Sequence, residues 1–165
     1  MKRIILMRHG QAEDGTDGIP DFERSLTTRG KNVTRAMAAR LKEKISDPGV
    51  LISSPAFRAY ETALIFAMTY RIPAEKLRLA GSIYSRFDPE TLREILSEAG
   101  NEAVTVTLFG HNPSFTEVSS YYSNVSINMV PKSGIVSLTF SIKNWTELRP
   151  GTGNLEIFYE PKKIL

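Results

Sequence analysis

Short apolar runs alternate along the chain with longer segments of helical periodicity. Strand-like runs occupy residues 4–7, 50–52 and 103–109. Between them, apolar residues recur every three or four positions, the spacing of an amphipathic helix. Strands that alternate with helices fold into a largely parallel sheet with helices on its faces. The pattern therefore predicts a three-layer α/β/α fold.

The boundaries of the first two helices carry recognisable signals. The first helix is capped by Thr27 or Thr28, because its apolar positions begin shortly after these residues. We expect Pro55 to be the first residue of the second helix, a position that proline favours. The four-residue spacing in the first helix is set by Val33, Met37, Leu41 and Ile45. The stripe in the second helix is formed by Ala59, Ala63, Phe66 and Ala67.

The later part of the chain is less regular. Residues 77–80 or 83–84 supply a short strand or a loop, and a short helix then ends at Gly100. Asn112 can cap the helix after the third strand, with Pro113 in its first turn. Residues 135–142 and 155–159 alternate apolar and polar side chains. We expect them to form late antiparallel strands near an edge of a mostly parallel sheet.

Size and composition exclude several classes of protein. A chain of 165 residues fits one domain with one core, which we expect to span residues 1–165. It has no cysteine, which excludes thiol nucleophiles and thiolate zinc sites. No apolar run has the length of a signal peptide or a membrane span, so we expect a cytoplasmic protein with no membrane partner. A net charge of +3 is too small to indicate a nucleic-acid partner.

The chain has two histidines, and each directly follows a predicted strand. His9 comes after residues 4–8, and His111 comes after residues 104–110. Ligand sites in open α/β sheets lie outside the carboxyl ends of the strands, so two neighbouring strands would bring both imidazoles to one crevice. Either histidine alone can be a hydrogen-bonded loop or core residue. Their matching contexts favour a shared site.

Two arginines accompany these histidines. Arg8 directly precedes His9, and Arg58 lies at the start of the second predicted helix. Backbone N–H groups at a helix start attract phosphate, and arginine matches the geometry of phosphate oxygens. The alternative for Arg58 is an exposed helix residue paired with Glu61 or another acid. Together with His111, these residues predict a site for a phosphoryl group.

Other phosphate and metal sites lack their motifs here. Residues 10–18 do not end in the Gly-Lys-Ser/Thr of a Walker loop, and no Gly-x-Gly-x-x-Gly follows a strand. Catalytic metals need convergent carboxylates or several histidines, whereas both histidines here are grouped with arginines that repel a cation. We expect neither a metal nor another cofactor.

Four ordered motifs resemble those of the histidine phosphatase superfamily. They are Arg8-His9-Gly10, Leu26-Thr27-x-x-Gly30, Ser54-Pro55-x-x-Arg58-Ala59-x-x-Thr62-Ala63 and Gly110-His111-Asn112-Pro113. Three further features resemble its short SixA-like branch, the protein phosphohistidine phosphatases: Asp21-x-x-Arg24-x-Leu26-Thr27, Ser133-Gly134 and Asn144-Trp145. The resemblance covers nearly the whole chain, and the order of the motifs makes it specific.

The resemblance implies a fold, a mechanism and a substrate. The fold is a phosphoglycerate mutase-like core without large cap insertions, because only about fifty residues separate Arg58 from His111. His9 is then the nucleophile and is transiently phosphorylated, while Arg8, Arg58 and a protonated His111 form the phosphate pocket. Water hydrolyses phospho-His9 and releases inorganic phosphate.

The expected activity is therefore that of a phosphatase. An open site without caps suits a phosphohistidine-bearing protein domain better than a small metabolite, so we expect phosphohistidine in proteins as the substrate. Two alternatives stay open. One is a phosphatase of small phosphoesters, and the other is a non-catalytic module that binds phosphate or phosphoproteins.

The proton donor for the leaving group is not identified by pattern. Many members of the superfamily place a carboxylate between the second and third motifs, where this chain offers Asp88 and Glu90. Asp88 fits better as a helix N-cap. The loop after His9 offers four more acids: Glu13, Asp14, Asp17 and Asp21. Because the nitrogen of a phosphohistidine leaving group takes up a proton readily, a weakly positioned acid suffices.

Two apolar pairs late in the chain have two interpretations. Tyr121 with Tyr122, and Met129 with Val130, form either an exposed docking surface or part of the core. Because large apolar side chains are more often buried than exposed, we expect them to pack inside.

Overall fold

The computed structural model describes residues 1–16 and 18–163. One sheet contains the strands β1 (Lys2–Arg8), β2 (Val50–Ser53), β3 (Arg78–Leu79), β4 (Thr105–Gly110), β5 (Ile135–Phe140) and β6 (Asn154–Tyr159). The α-helices are α1 (Thr28–Lys44), α2 (Phe57–Thr69), α3 (Ser82–Ser85), α4 (Pro89–Ala99) and α5 (Ser114–Tyr122). Short 3-10 helices lie at Asp21–Glu23, Ala74–Lys76, Trp145–Glu147 and Pro161–Lys163. No helix of this described part is long and apolar enough to cross a membrane.

The strand order of the sheet is β3-β2-β4-β1-β5-β6. Strands β1, β2, β3 and β4 run parallel, while β5 pairs antiparallel with β1 and β6 pairs antiparallel with β5. Strand β4 lies between β1 and β2, and its last residue, Gly110, is in register with Arg8 of β1. The carboxyl ends of the three predicted parallel strands are therefore neighbours, and the late strands are antiparallel as predicted.

Helices cover both faces of the sheet. Along β1, Ile4 and Leu6 belong to one core cluster together with side chains of α4 and α5. Ile5 and Met7 point to the opposite face and pack with side chains of α1 and α2. Each of these four side chains is at most 1% exposed, and burial stabilises the fold by about 1.5–3 kcal/mol per side chain. The predicted α/β/α layering is confirmed.

The start of α2 differs from the prediction. The helix begins at Phe57, so Pro55 lies before it and is not its first residue. The backbone N–H of Ser54 still donates to the carbonyl of Phe109 (2.9 Å), which prolongs the strand pairing past the end of β2. The hydroxyl of Ser54 then accepts from the N–H of Ala56 (3.2 Å). These contacts hold residues 54–56 as a turn and delay the helix by two residues.

The predicted caps are largely present. The Thr27 hydroxyl accepts from the N–H of Gly30 (2.9 Å), and the Asp88 carboxylate accepts from the N–H of Thr91 (2.8 Å). Asn112 does not occupy the N-cap of α5, because Pro113 does, but its side-chain oxygen accepts from the N–H of Thr116 (3.3 Å).

The structure decides between the alternatives that the sequence left open in two regions. The segment after residue 73 contains both the short strand β3 and the short helix α3. In the two apolar pairs, Tyr122 and Val130 are buried, whereas Tyr121 is 47% exposed and Met129 is 71% exposed. The expectation of burial is wrong for one member of each pair. For the tyrosines the reason is helix geometry, since adjacent residues of a helix point in directions about 100° apart.

Candidate active site

The four residues predicted to form the site meet at the carboxyl ends of β1, β2 and β4. A cavity of about 220 Å³ is lined by Arg8, His9, Ala12, Arg24, Arg58, His111, Asn112 and Lys132. The ring centroids of His9 and His111 are 5.2 Å apart. Residues far apart in the sequence are thus brought together by the strand order.

His9 is held as a neutral imidazole with one nitrogen available. Its backbone N–H donates to the carbonyl of Gly110 (3.0 Å), which continues the pairing of β1 with β4. Its Nδ1 lies 2.7 Å from the carbonyl oxygen of Gly10. Since a carbonyl can only accept, Nδ1 carries the ring proton and Nε2 carries the lone pair. Burial lowers the pKa of His9 to about 3, with smaller contributions from the neighbouring cations.

Two glycines allow the backbone near His9 to pack closely. A Cβ atom on Gly10 would lie 2.7 Å from the hydroxyl oxygen of Thr34. A Cβ atom on Gly30 would lie 2.2 Å from the carbonyl oxygen of Gln11. The start of α1 therefore rests directly on the loop that follows His9. A larger residue at either position would displace that loop, which explains the glycines in the first two motifs.

His111 is also neutral in the free protein. Its Nε2 lies 2.8 Å from the hydroxyl oxygen of Ser54, which already accepts from the N–H of Ala56. No other acceptor for the serine proton is present among the described residues, so we take the hydroxyl to donate to Nε2 and assign the ring proton of His111 to Nδ1. This Nδ1 is buried and has no partner within the described residues. Burial, followed by the charge of Arg58, lowers the pKa of His111 to about 4.

The imidazolium expected for His111 belongs to the phosphate-bound site, whereas the free protein has a neutral ring. A neutral ring with its proton on Nδ1 still presents a donor, so binding of an anion does not require prior protonation. Two negative charges arriving beside the ring would favour the protonated form. In the free site, however, the fixed positive charge comes from the arginine and lysine side chains.

Arg8 faces no carboxylate in the described part of the chain. Its Nη1 donates to the carbonyl of Val130 (3.0 Å), which also accepts from the side-chain amide of Asn112 (2.9 Å). Its Nε is buried without a partner within the described residues. Burial lowers the pKa of Arg8. The guanidinium is therefore anchored at one edge and has unused donors at the other.

Arg58 is anchored by Asp21. Its Nη1 donates to the backbone carbonyl of Asp21 (2.8 Å) and its Nη2 to the carboxylate of Asp21 (3.1 Å). Its Nε is buried without a partner among the described residues. Arg58 is thus paired with another acid than Glu61, whose carboxylate accepts from the N–H of Leu26 (3.1 Å) and lies 3.8 Å from the ammonium of Lys31. The expectation of an exposed residue is wrong, because Arg58 is buried.

The candidate proton donors do not line the cavity. Asp21 accepts from Arg24, Tyr84 and Arg58; burial opposes ionisation, yet these hydrogen bonds lower its pKa to about 2. Asp88 caps α4 as expected and contacts Arg86 (3.0 Å). The other described candidates, Glu13, Asp14 and Glu90, are absent from the lining. Asp17 lies outside the described residues.

Two side chains, those of Tyr84 and Lys132, were not assigned to the site from the sequence. Tyr84 lies with its ring 5.6 Å from that of His111 and donates its hydroxyl to Asp21 (3.0 Å). Lys132 lines the cavity from the loop before β5. The only local signal for Lys132 is its place beside the Ser133-Gly134 motif. Tyr84 has no such signal, because its position depends on α3, a helix that the pattern did not identify.

The donor set suits an oxyanion. Within residues 1–16 and 18–163, no group of three or more His, Cys, Asp or Glu residues could hold a metal ion. Arg8, Arg58 and His111 all line the cavity, and each has one buried side-chain nitrogen without a partner among the described residues. Buried polar groups without partners are rare in folded proteins, so three of them in side chains around one cavity indicate an anionic ligand.

Comparisons with known proteins agree with this geometry. A model of the histidine phosphatase superfamily (branch 1) matches residues 4–103. The uncharacterized protein Rv1276c of Mycobacterium tuberculosis is 25% identical over 166 residues, covering 94% of this chain and all of the relative. The structure of the protein histidine phosphatase SixA with tungstate is similar with a TM-score of 0.82, at 23% identity and 99% coverage of both chains.

Two further solved structures share the fold. A SixA protein from Agrobacterium tumefaciens gives a TM-score of 0.79 at 22% identity, with 97% of this chain and 98% of the other covered. A mycobacterial glucosyl-3-phosphoglycerate phosphatase, in complex with VO3, gives a TM-score of 0.71 at 14% identity, with 95% and 98% covered. The phosphoglycerate mutase-like architecture expected from the motifs is confirmed by the match to SixA.

Proposed function

The chain belongs to the histidine phosphatase superfamily, and from that premise we propose that it is a phosphatase that forms a phosphohistidine intermediate on His9 and acts on phosphohistidine in proteins. The observation that carries the proposal is the orientation of the His9 ring. Its Nδ1–H donates to Gly10, so that Nε2 carries the lone pair in a cavity that Arg8, Arg58 and His111 also line.

In the first step, the Nε2 lone pair of His9 attacks the phosphorus atom. A bond forms between Nε2 and phosphorus as the bond from phosphorus to the leaving atom breaks, and the electron pair departs with the leaving group. The Nδ1–H stays on the carbonyl of Gly10 and stabilises the positive charge that the ring gains. Neutrality is essential, because a protonated Nε2 has no lone pair. The pKa of about 3 keeps the ring neutral at physiological pH.

In the second step, water attacks the same phosphorus atom. A bond forms between the water oxygen and phosphorus, the bond from Nε2 to phosphorus breaks, and the electron pair returns to His9. The water loses a proton to the solution and inorganic phosphate leaves. The ring is then neutral again, with its proton still on Nδ1.

Arg8, Arg58 and His111 act on the oxygens of the transferring group. Phosphoryl transfer is catalysed mainly by positioning and by stabilisation of charge. The three side chains line the cavity, and each has one side-chain nitrogen without a hydrogen-bond partner among the described residues, so each can donate to a phosphoryl oxygen bound there. Loss of one preorganised donor of this kind raises the barrier by about 2.7–4 kcal/mol.

The lining of the cavity supports a leaving group that needs little help from an acid. No carboxylate of the described residues lines it, and the nearby Asp21 has a pKa of about 2. Asp21 therefore holds Arg58 in place and carries no proton to donate at neutral pH. The imidazole of a phosphohistidine leaves more easily than an alkoxide, because its ring nitrogen accepts a proton from water. This supports phosphohistidine over alkyl phosphoesters.

A small phosphoester is the second candidate substrate. The fold of this chain is shared with a glucosyl-3-phosphoglycerate phosphatase, so the architecture is compatible with sugar-phosphate chemistry. A non-catalytic phosphate-binding module is disfavoured, because a binding module needs no neutral imidazole with a free lone pair.

The substrate order is tested by phosphate release from three donors at equal concentration. These are a protein domain carrying phosphohistidine, a phosphoserine protein and a sugar phosphate. We expect the phosphohistidine domain to have the highest kcat/KM. Faster turnover of the sugar phosphate would favour the second candidate, and binding without turnover of any donor would favour the module.

A further inference from the structure

A second, wider groove adjoins the catalytic cavity. It has a volume of about 750 Å³ and lies between the start of α1, the loop of residues 128–133 and the stretch that follows β6. Lys132 lines both the groove and the catalytic cavity. The neighbouring Ser133 donates its backbone N–H to the carbonyl of His9 (3.1 Å). The groove is therefore an extension of the site where phosphorus would be bound.

Part of the lining of the groove is apolar. It consists of Val33 on α1 and of Met129 and Pro131 in the loop of residues 128–133, and 71% of Met129 is exposed. An exposed methionine is flexible and polarisable, and side chains of this kind adapt to partner surfaces. Nothing in the catalytic mechanism uses these side chains. This apolar lining is suited to an aliphatic side chain that arrives with a ligand.

The rim of the groove is positively charged. Arg29 and Lys132 are both exposed, and neither forms an ion pair within the described residues. On the opposite side, Lys162 lies 3.5 Å from the carboxylate of Glu160, so those two charges offset each other. The remaining charge attracts carboxylates. Exposed cations of one sign beside a binding site also raise the rate of association with an acidic partner.

The size and openness of the groove favour a polypeptide as its ligand over the non-phosphoryl part of a small phosphoester. Sites for small molecules enclose most of the surface of the ligand. Here the apolar lining includes Met129, which is mostly exposed. The groove, at about 750 Å³, is also more than twice as large as the adjoining catalytic cavity of about 220 Å³. An open surface with an apolar strip and a charged rim resembles the contact region of a weak protein complex.

We propose that this groove binds an acidic segment, bearing an aliphatic side chain, that flanks the phosphorylated residue of a protein substrate. The proposal rests on the proposed function, because it assigns the groove to the same substrate. The phosphoryl group enters the catalytic cavity, a neighbouring carboxylate meets Arg29, and the aliphatic side chain packs on Met129 and Val33. The groove thus selects among phosphoproteins while the cavity performs the chemistry.

The test uses two synthetic phosphohistidine peptides and phosphoramidate. One peptide carries Glu and Leu on both sides of the phosphohistidine, and the other carries Lys and Ser. We expect kcat/KM to be about tenfold higher for the acidic peptide, since each exposed ion pair contributes up to about 1 kcal/mol and a tenfold change corresponds to about 1.4 kcal/mol. Phosphoramidate reports the chemistry alone, because it is too small to reach the groove.

Matched variants locate the effect. Arg29→Glu should lower kcat/KM for the acidic peptide about fivefold or more, through KM, whereas Arg35→Glu makes the same charge change on the same helix outside the groove and should leave the value near wild type. Met129→Ser should lower it about threefold. Met68→Ser is its control, because Met68 is 75% exposed on α2. Turnover of phosphoramidate should be the same in all four variants.

Equal kcat/KM for the two peptides in the wild-type protein would overturn the proposal, as would equal losses in Arg29→Glu and Arg35→Glu. Failure of the proposed function looks different, since phosphoramidate would then not be turned over at all. In that case, binding of the unphosphorylated acidic peptide by calorimetry still tests the groove.

Two other occupants give distinct results, and either would overturn the proposal. If a second copy of the chain fills the groove, sedimentation will show a dimer that Arg29→Glu dissociates. If the end of the chain fills it, removal of residues 164–165 will increase the affinity for both peptides alike.

Discussion

The two ends of β1 carry arginines in opposite situations. Arg3, at the amino end, places Nε and Nη2 each 2.8 Å from a carboxylate oxygen of Glu156. Arg8, at the carboxyl end, contacts the carbonyl of Val130 and no carboxylate of the described residues. The hydrogen bond with Glu156 raises the pKa of Arg3, while burial lowers the pKa of Arg8. Arg3 therefore has a counter-ion, whereas Arg8 has none among the described residues.

The proposed function explains this difference. A largely buried charge without a counter-ion destabilises a protein, so it persists where something outside the chain compensates it, and for Arg8 we propose that this is a phosphoryl group. The two histidines lie beside arginines that disfavour their protonation, and both are neutral in the free protein. Under the proposed function the carboxyl ends of the strands bind an anion, whereas Arg3 at the amino end of β1 already has a counter-ion.

The largest expected difference is between Arg8→Met and Arg3→Met. We expect Arg8→Met to raise the catalytic barrier by about 2.7–4 kcal/mol, a loss of roughly 100- to 1,000-fold in kcat/KM. Arg3→Met should leave kcat/KM within about twofold of wild type and lower the free energy of unfolding by at most about 1 kcal/mol, the scale of a partly exposed ion pair. Phosphoramidate kinetics and urea unfolding of both variants measure these effects. Similar losses of kcat/KM in the two variants would contradict the different roles assigned to the two ends of β1.

The groups at the two ends of β1 should also affect stability in different pH ranges. A histidine whose pKa falls on folding binds fewer protons in the folded state. Its contribution is therefore complete above pH 6.5 and is lost as pH falls toward the folded value, about 3 for His9 and about 4 for His111. We expect a loss of about 1–1.4 kcal/mol per histidine for each pH unit below 6.5. The pKa of Glu156 is lowered from 4.5, chiefly by its hydrogen bond with Arg3, so that pair loses its contribution only below pH 4.5.

The free energy of unfolding in urea, measured between pH 7 and 5, reports the contribution of the two histidines. His9→Asn and His111→Asn should each remove about half of the slope, and Arg3→Met should not change it. A flat profile in the wild-type protein would show that the histidines are not buried in neutral form.

A smaller effect is expected from the serine that positions His111. Ser54→Ala removes the hydroxyl that directs the ring proton to Nδ1, and we expect kcat/KM to fall about tenfold, the value of one hydrogen bond of about 1.4 kcal/mol. The ring nitrogens of His111 should then show a mixture of tautomers by 15N NMR. Ser119→Ala is the control, because Ser119 is equally buried but its hydroxyl has no partner within the described residues. If the tautomer of His111 were unchanged in Ser54→Ala, Ser54 would not be the residue that sets it.

Most of the fold and the centre of the site could be predicted from the sequence. Strand β1 is a short apolar run that ends at Arg8 and His9, and β4 repeats the pattern before His111. Strand ends in parallel sheets face one crevice, so local pattern was enough to bring these residues together. The cap at Thr27 and the N-cap at Asp88 were predictable for the same reason, because they depend on neighbours within a few positions.

The remaining features depend on tertiary contacts that leave no periodic signal. Pro55 was predicted to begin α2, yet the hydrogen bonds of Ser54 hold the chain in a turn there. The acid that pairs with Arg58 could not be identified from the sequence, because Asp21 lies 37 positions earlier and only the fold brings the two together. The charge state of His111 in the free protein could not be predicted from the sequence, because the effect of burial on its pKa depends on the whole neighbourhood.

The most direct test of the account is rapid-quench labelling of His9 with 32P-phosphoramidate. We predict an acid-labile phosphoryl group, at no more than one per chain, on the peptide that contains His9. It should appear before phosphate release and be absent from His9→Ala. Turnover that proceeds without labelled His9 at any quench time, or equal labelling of His9→Ala, would contradict the covalent mechanism.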